Sequence, residues 1–192
     1  MKTLLAATAL ALTLSACSAP TPTDEAAPTA EASETAAPAA PAATATEASL
    51  DRTMTLEGLG PLKIGQPVPA GSGWTKPDMQ ASDACLIYKS DAYPGVYAIV
   101  ENGAVRRITA GQGSDVTFVE GIGVGATRAQ VDGSFPGFRE TPHKYVEGGV
   151  DLTAPNAASG DAAVRFELDG AGKVTDMHVG TAPVLGYVEG CA

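Results

Sequence analysis

Residues 50–192 predict an α+β domain of two tandem repeats, each a short helix or turn followed by an antiparallel β-meander, with a disordered tether in front. Three observations carry this. "LKIGQPV" (62–68) and "IGVGATRAQV" (122–131) share a Leu/Ile-x-Ile/Val-Gly core, with Gly65 and Gly125 sixty residues apart. "VYAIVENGAVRRITA" (96–110) and "VRFELDGAGKVTDMHVG" (164–180) each read as an alternating strand, a Gly turn and a second alternating strand. Thr127-x-x-Gln130 has the form of a capping box, in which hydroxyl and amide side chain satisfy free amides at a helix start.

The chain begins with a basic Met1-Lys2, followed by the apolar run "LLAATALALTL" (4–14). Eleven residues are too few to span a bilayer, which needs about 20, and suit the apolar part of an export signal. The run closes on Leu14-Ser15-Ala16-Cys17. This resembles the bacterial lipobox, and the lipoprotein family implies removal of residues 1–16, a thioether lipid on Cys17 and an acylated amine. Each buried CH₂ contributes about 0.8 kcal/mol, so two or more chains anchor stably where one is marginal. Ser18, where some lipoproteins carry Asp, favours the outer membrane under the same resemblance. The expected address is therefore the cell envelope: lipid-anchored to the outer membrane, the domain in the periplasm or displayed at the surface.

Residues 18–49 contain only Ala (13), Thr (6), Pro (5), Ser (3) and acidic residues (5). Such a segment buries too little apolar surface to offset its ordering entropy. Pro20, Pro22, Pro28, Pro38 and Pro41 break any helix the alanines would start. The segment 17–49 reads as a tether, spanning roughly 30 Å as a coil and about 100 Å if polyproline-like.

The remaining 143 residues divide into a first repeat, about 56–112, and a second, about 116–192. Tyr97, Ile99, Val105 and Ile108 or Thr109 are candidates for the inner face of the first meander. Val164, Phe166, Leu168, Val174 and Met177 are candidates in the second. Asn102-Gly103 suits a two-residue hairpin turn, and Asp169-Gly170-Ala171-Gly172 a longer one. Val131 and Phe135 share a helix face, and Pro136-Gly137 ends the helix. Gln66-Pro67-Val68-Pro69 allows only a turn or a 3₁₀ segment in the first repeat. Cys85 and Cys191, the pair left once Cys17 is lipidated, read as one disulfide in an oxidising compartment. It would pin the tail "VLGYVEGC" (184–191), expected as a strand, beside "CLIYK".

"GIGVGATRAQV" (121–131) followed by "FPG" and a small meander resembles the start motif of small outer-membrane lipoproteins of the β-barrel assembly machine. The tandem arrangement is similar to the β-lactamase-inhibitor-protein fold. That likeness implies two repeats of helices packed on a shared antiparallel sheet, and it assigns no partner-binding residue.

The globular part carries 11 basic and 17 acidic residues, which argues against nucleic acid. His143 and His178 lie 35 residues apart, outside any HExxH spacing. No Gly-x-Ser-x-Gly elbow occurs, and "GIGVGAT" lacks the P-loop lysine. No metal, cofactor or catalytic residue is expected. The candidate contact residues are Trp74, Tyr88, Tyr93 and His143; His178 alternates with Met177 and Val179 and is expected to face solvent. The reading is a non-catalytic protein-binding module, an inhibitor or an envelope-assembly accessory. The alternative is a glycan- or peptidoglycan-binding module stacking sugar on Trp74 or the tyrosines; a hydrolase comes third.

Overall fold

A computed structural model of the protein describes residues 52–78, 82 and 84–191. The export leader, Cys17 and the tether lie outside them. Short strands open the described chain: β1 (Thr53–Thr55), β2 (Gly58–Leu59) and β3 (Leu62–Lys63). Then come β4 (Cys85–Lys89), β5 (Val96–Glu101), β6 (Ala104–Ala110) and β7 (Thr117–Phe118). Helix α1 (Arg128–Ser134) leads to β8 (Arg139–Pro142), β9 (Val150–Thr153), β10 (Ala163–Leu168) and β11 (Val174–Gly180). A 3₁₀ turn, Val184–Gly186, follows.

The architecture is mostly β, which corrects the α+β expectation of two helix-and-meander repeats. Seven antiparallel strands form one sheet in the order β4-β5-β6-β11-β10-β9-β8, and four short strands form another, β3-β2-β1-β7. The helices expected to balance the strands fail for local reasons. Pro67 and Pro69 leave the first half turns only, such as Ser72 N–H to the Pro69 carbonyl. In the second half the capping box forms, with Gln130 N–H donating to Thr127 Oγ1 and Thr127 N–H to Gln130 Oε1. Pro136-Gly137 then holds α1 to seven residues, and only its Val131 is buried.

Turn chemistry decides the hairpins. Asn102 (φ 54°) and Gly103 (φ 77°) form the two-residue turn between β5 and β6, since a paired positive φ matches the strand twist. In the longer β10–β11 turn, Asp169 Oδ1 accepts from the Ala171 and Lys173 amides, both at 2.9 Å.

The main core lies between one face of the large sheet and the small sheet with α1. Met54, Leu59, Leu62, Phe118 and Val131 meet Ile108, Phe166, Leu168, Met177 and Val179 there, all buried. The second hairpin turns the expected residues inward. The first does so only in its second strand, where Val105 and Ile108 join this core; in its first strand Val96, Ala98 and Val100 face the core, while Ile99 packs on the opposite face with Cys85 and Val184. Tyr97 lies against that second cluster.

The opposite face is covered because the chain end crosses it. Arg107 Nη1 donates to the Val184 carbonyl (3.2 Å) and to the Tyr187 carbonyl, and Arg165 Nη1 to the Leu185 carbonyl (3.4 Å). The Cys85–Cys191 disulfide closes this strap, with Cα atoms 5.5 Å apart. The tail expected as a strand is thus a 3₁₀ turn and loop lying across the sheet.

Candidate functional site

Strands β1 and β7 pair in parallel, Thr53 with Thr117 and Met54 with Phe118. Parallel pairing sends both chains out of the sheet at the same end, each into a turn. The first turn is Thr55-Leu56-Glu57-Gly58, the second Phe118-Val119-Glu120-Gly121. Both place an aliphatic residue and then a glutamate at the tip. Gly58 is fixed in the first turn: its φ is 142°, and a Cβ there would meet the Leu62 carbonyl oxygen at 2.0 Å. Gly121 N–H closes the second turn on the Phe118 carbonyl at 2.9 Å.

Turn tips favour Gly, Asn, Asp, Ser and Pro, so two aliphatic tips side by side are unexpected. Leu56 is 46 % exposed and Val119 75 %, the largest exposure among the large hydrophobic residues described. They stand at the mouth of an open groove of about 380 Å³. Met54, Phe118, Phe135, Phe138 and Val164 line it. Its aromatic floor is a packed set: Phe135 lies 5.6 Å from Phe118 and 5.2 Å from Phe166, and Phe138 lies 5.9 Å from Phe166. Ring packing of this kind gives a preformed apolar surface. Among the described residues, Glu57 and Glu120 are the only charged ones that line it.

A second cluster lies on the strap-covered face, where the registers bring Asp151, Arg165, Glu167, His178 and Thr109 together. His178, expected in solvent, is 2 % exposed. Thr109 Oγ1 lies 2.9 Å from His178 Nδ1, and His178 Nε2 lies 3.2 Å from Glu167 Oε1. His143 Nδ1 accepts from the Tyr145 and Val146 amides, both at 3.1 Å, which leaves the ring proton on Nε2, facing Glu167 Oε2 at 3.2 Å. Arg165 Nη2 bridges Asp151 Oδ2 (2.8 Å) and Glu167 Oε1 (3.1 Å).

Burial pushes His178 down to about 4, against the pull of Glu167. His178 is then neutral near pH 7, with its hydroxyl partner on Nδ1 and its proton on Nε2. Burial works to raise the Glu167 carboxyl, but the His178 hydrogen bond, Arg165 and His143 outweigh it and hold Glu167 at about 2. The positive charge that faces this carboxylate is therefore that of Arg165.

His143, Asp151 and Glu167 bring ligand atoms within 4.8 Å of one another. The donor set does not suit a metal. A ligating Nε2 must give up its proton, yet Nδ1 already spends its lone pair on two amides, and the Arg165 guanidinium occupies both carboxylates. Asp151 Oδ1 is buried and has no hydrogen-bond partner; Asp151 and Arg165 also line a neighbouring cavity of about 330 Å³. Asp151 Oδ1 apart, the cluster reads as a mutually hydrogen-bonded polar layer under the strap.

The sequence-predicted contact residues do not converge. Trp74 is 5 % and Tyr93 7 % exposed, stacked at 5.5 Å as part of the core. Tyr88 is half-buried against the same core, and His143 belongs to the polar layer. The sequence reading missed Leu56, Glu57, Val119 and Glu120. Their signal is the match of "LEGLG" (56–60) with "VEGIG" (119–123), which is offset from the Gly65/Gly125 alignment by three residues.

No protein-family model, curated protein or solved structure matches this chain.

Proposed function

We propose that this chain is a lipid-anchored cell-envelope lipoprotein whose domain binds another envelope protein without catalysis, as an inhibitor or an assembly accessory. One observation carries the binding half: the twin turns present Leu56 and Val119 beside a preformed apolar groove. Apolar side chains standing in water over an apolar floor favour a partner that covers them. Covering Leu56 and Val119 contributes on the order of 1–2 kcal/mol each. The lipobox ending in Cys17 supports the anchor. The polar layer supports the absence of catalysis, because its groups hold one another. Trp74 and Tyr93, on which a sugar would stack, are buried, which weighs against the glycan alternative.

The test places a photoreactive amino acid at Val119 in producing cells, with Lys76, an exposed loop position, as the control. The expected result is one discrete adduct from position 119, lost when Leu56→Ser is added, and none from 76. Equal labelling at both positions, or an adduct indifferent to Leu56→Ser, would contradict the proposal.

A further inference from the structure

We propose that the groove takes an extended partner segment in which apolar side chains flank a lysine or arginine. This rests on reading the groove as a protein-contact surface and adds the partner's charge. The groove's lining is mostly apolar, with Thr55 and Asn156 as its uncharged polar residues and, among the described residues, Glu57 and Glu120 as its charged ones, one at each aliphatic turn tip. Glu120 has no ion-pair partner among the described residues. The Thr55 hydroxyl is the main influence holding the Glu57 carboxyl below its usual range, with Lys63 a smaller one. Glu57 is therefore a carboxylate at neutral pH.

A partner that covers Leu56 and Val119 must also strip water from these glutamates. An all-apolar partner leaves them desolvated and unpaired, which is costly. An acidic partner adds repulsion. A cation between two apolar anchors meets both demands, since hydrogen bonds to charged groups are the stronger kind. The same electrostatics works against two other occupants. An anionic lipid surface brings like charge to the rim, and a second copy brings its own Glu57 and Glu120. The chain's formal charge of −10 adds to both penalties.

The experiment measures binding of the full-length protein to labelled short peptides by fluorescence anisotropy. One peptide carries Leu-Lys-Leu in a Gly/Ser frame, and the other carries Leu-Glu-Leu. Phosphatidylglycerol vesicles and light scattering report the other occupants. The lysine peptide should bind about three- to tenfold more tightly at low salt, and added salt should collapse the difference. Glu57→Lys with Glu120→Lys should reverse the order. Leu56→Ser with Val119→Ser, two exposed changes that spare folding, should weaken both peptides. Equal affinity for the two peptides, or no binding of the lysine peptide, overturns the proposal. So does tighter groove-dependent binding of vesicles, or self-association abolished by Leu56→Ser. If the serine pair weakens binding while the charge reversal is silent, the partner's charge is wrong and the contact surface stands. If neither pair matters, the contact surface is wrong as well.

Discussion

Replacing Cys191 by Ser opens the ring closed by the disulfide while leaving the main core untouched. The cysteines are 106 residues apart, and for a ring of that size the chain-entropy relation gives about 4.7 kcal/mol. The structure lowers this figure. Without the bond, Arg107 still donates to the Val184 and Tyr187 carbonyls and Arg165 to the Leu185 carbonyl. Val184 and Leu185 remain buried. Only the stretch beyond Tyr187 frays, and the entropy it regains in the native state offsets part of the loss. The expected destabilisation is about 2–4 kcal/mol. Urea unfolding reads it as a lower midpoint, and reduction of the native protein should reproduce the shift. Amide exchange should quicken after Tyr187 and stay slow in β10 and β11. A loss below about 1 kcal/mol would refute the entropic reasoning. A loss well above about 5 kcal/mol, with fast exchange in β10 and β11, would mean that the arginine contacts cannot hold the strap alone.

Acid should unfold the protein in two windows. His178 stands at about 4 in the folded protein against 6.5 ordinarily, so its share of stability is full above 6.5 and drains as pH falls towards 4. Glu167, at about 2 against 4.5, gives up its share between 4.5 and 2. Thermal melts should lose a few kcal/mol across the upper window, and His178→Gln should flatten that window; a flat wild-type profile would contradict the assignment. Gly58→Ala should cost more than Gly121→Ala in chemical unfolding. Both take a positive φ worth about 1–2 kcal/mol, but only position 58 drives a Cβ into a backbone oxygen, and equal losses would contradict the turn geometry. Cys17→Ala should move the protein from the membrane to the soluble fraction, and continued lipid labelling would exclude Cys17 as the anchor.

Signals that act over a few residues were legible in the sequence. Asn102-Gly103 needs positive φ whatever surrounds it, and the Thr127/Gln130 box closes on its own amides. The disulfide was legible as the pair of cysteines left once Cys17 is set aside by the expected lipobox. The balance of helix to strand was not legible, because a capping box marks where a helix starts and says nothing of its length. Alternation in "VYAIVE" separates two faces without naming the inner one, and here both are covered. Ile99 and His178 are buried because a strap from the far end of the chain lies over them, a contact no local pattern reports. Trp74 looked like a loop aromatic, yet its ring stacks on Tyr93 inside the core. The groove was hidden for a related reason: Leu56 and Val119 become neighbours only when β1 and β7 pair in parallel.

Amide shift mapping by NMR on the isotope-labelled full-length chain, titrated with the Leu-Lys-Leu peptide, tests the contact surface most directly. The groove account predicts shifts concentrated in residues 54–58 and 117–122 and around Phe135 and Phe138, absent in the Leu56→Ser/Val119→Ser variant. Shifts centred instead on the strap and on the His143, Asp151 and Glu167 layer, or none at saturating peptide, would contradict it.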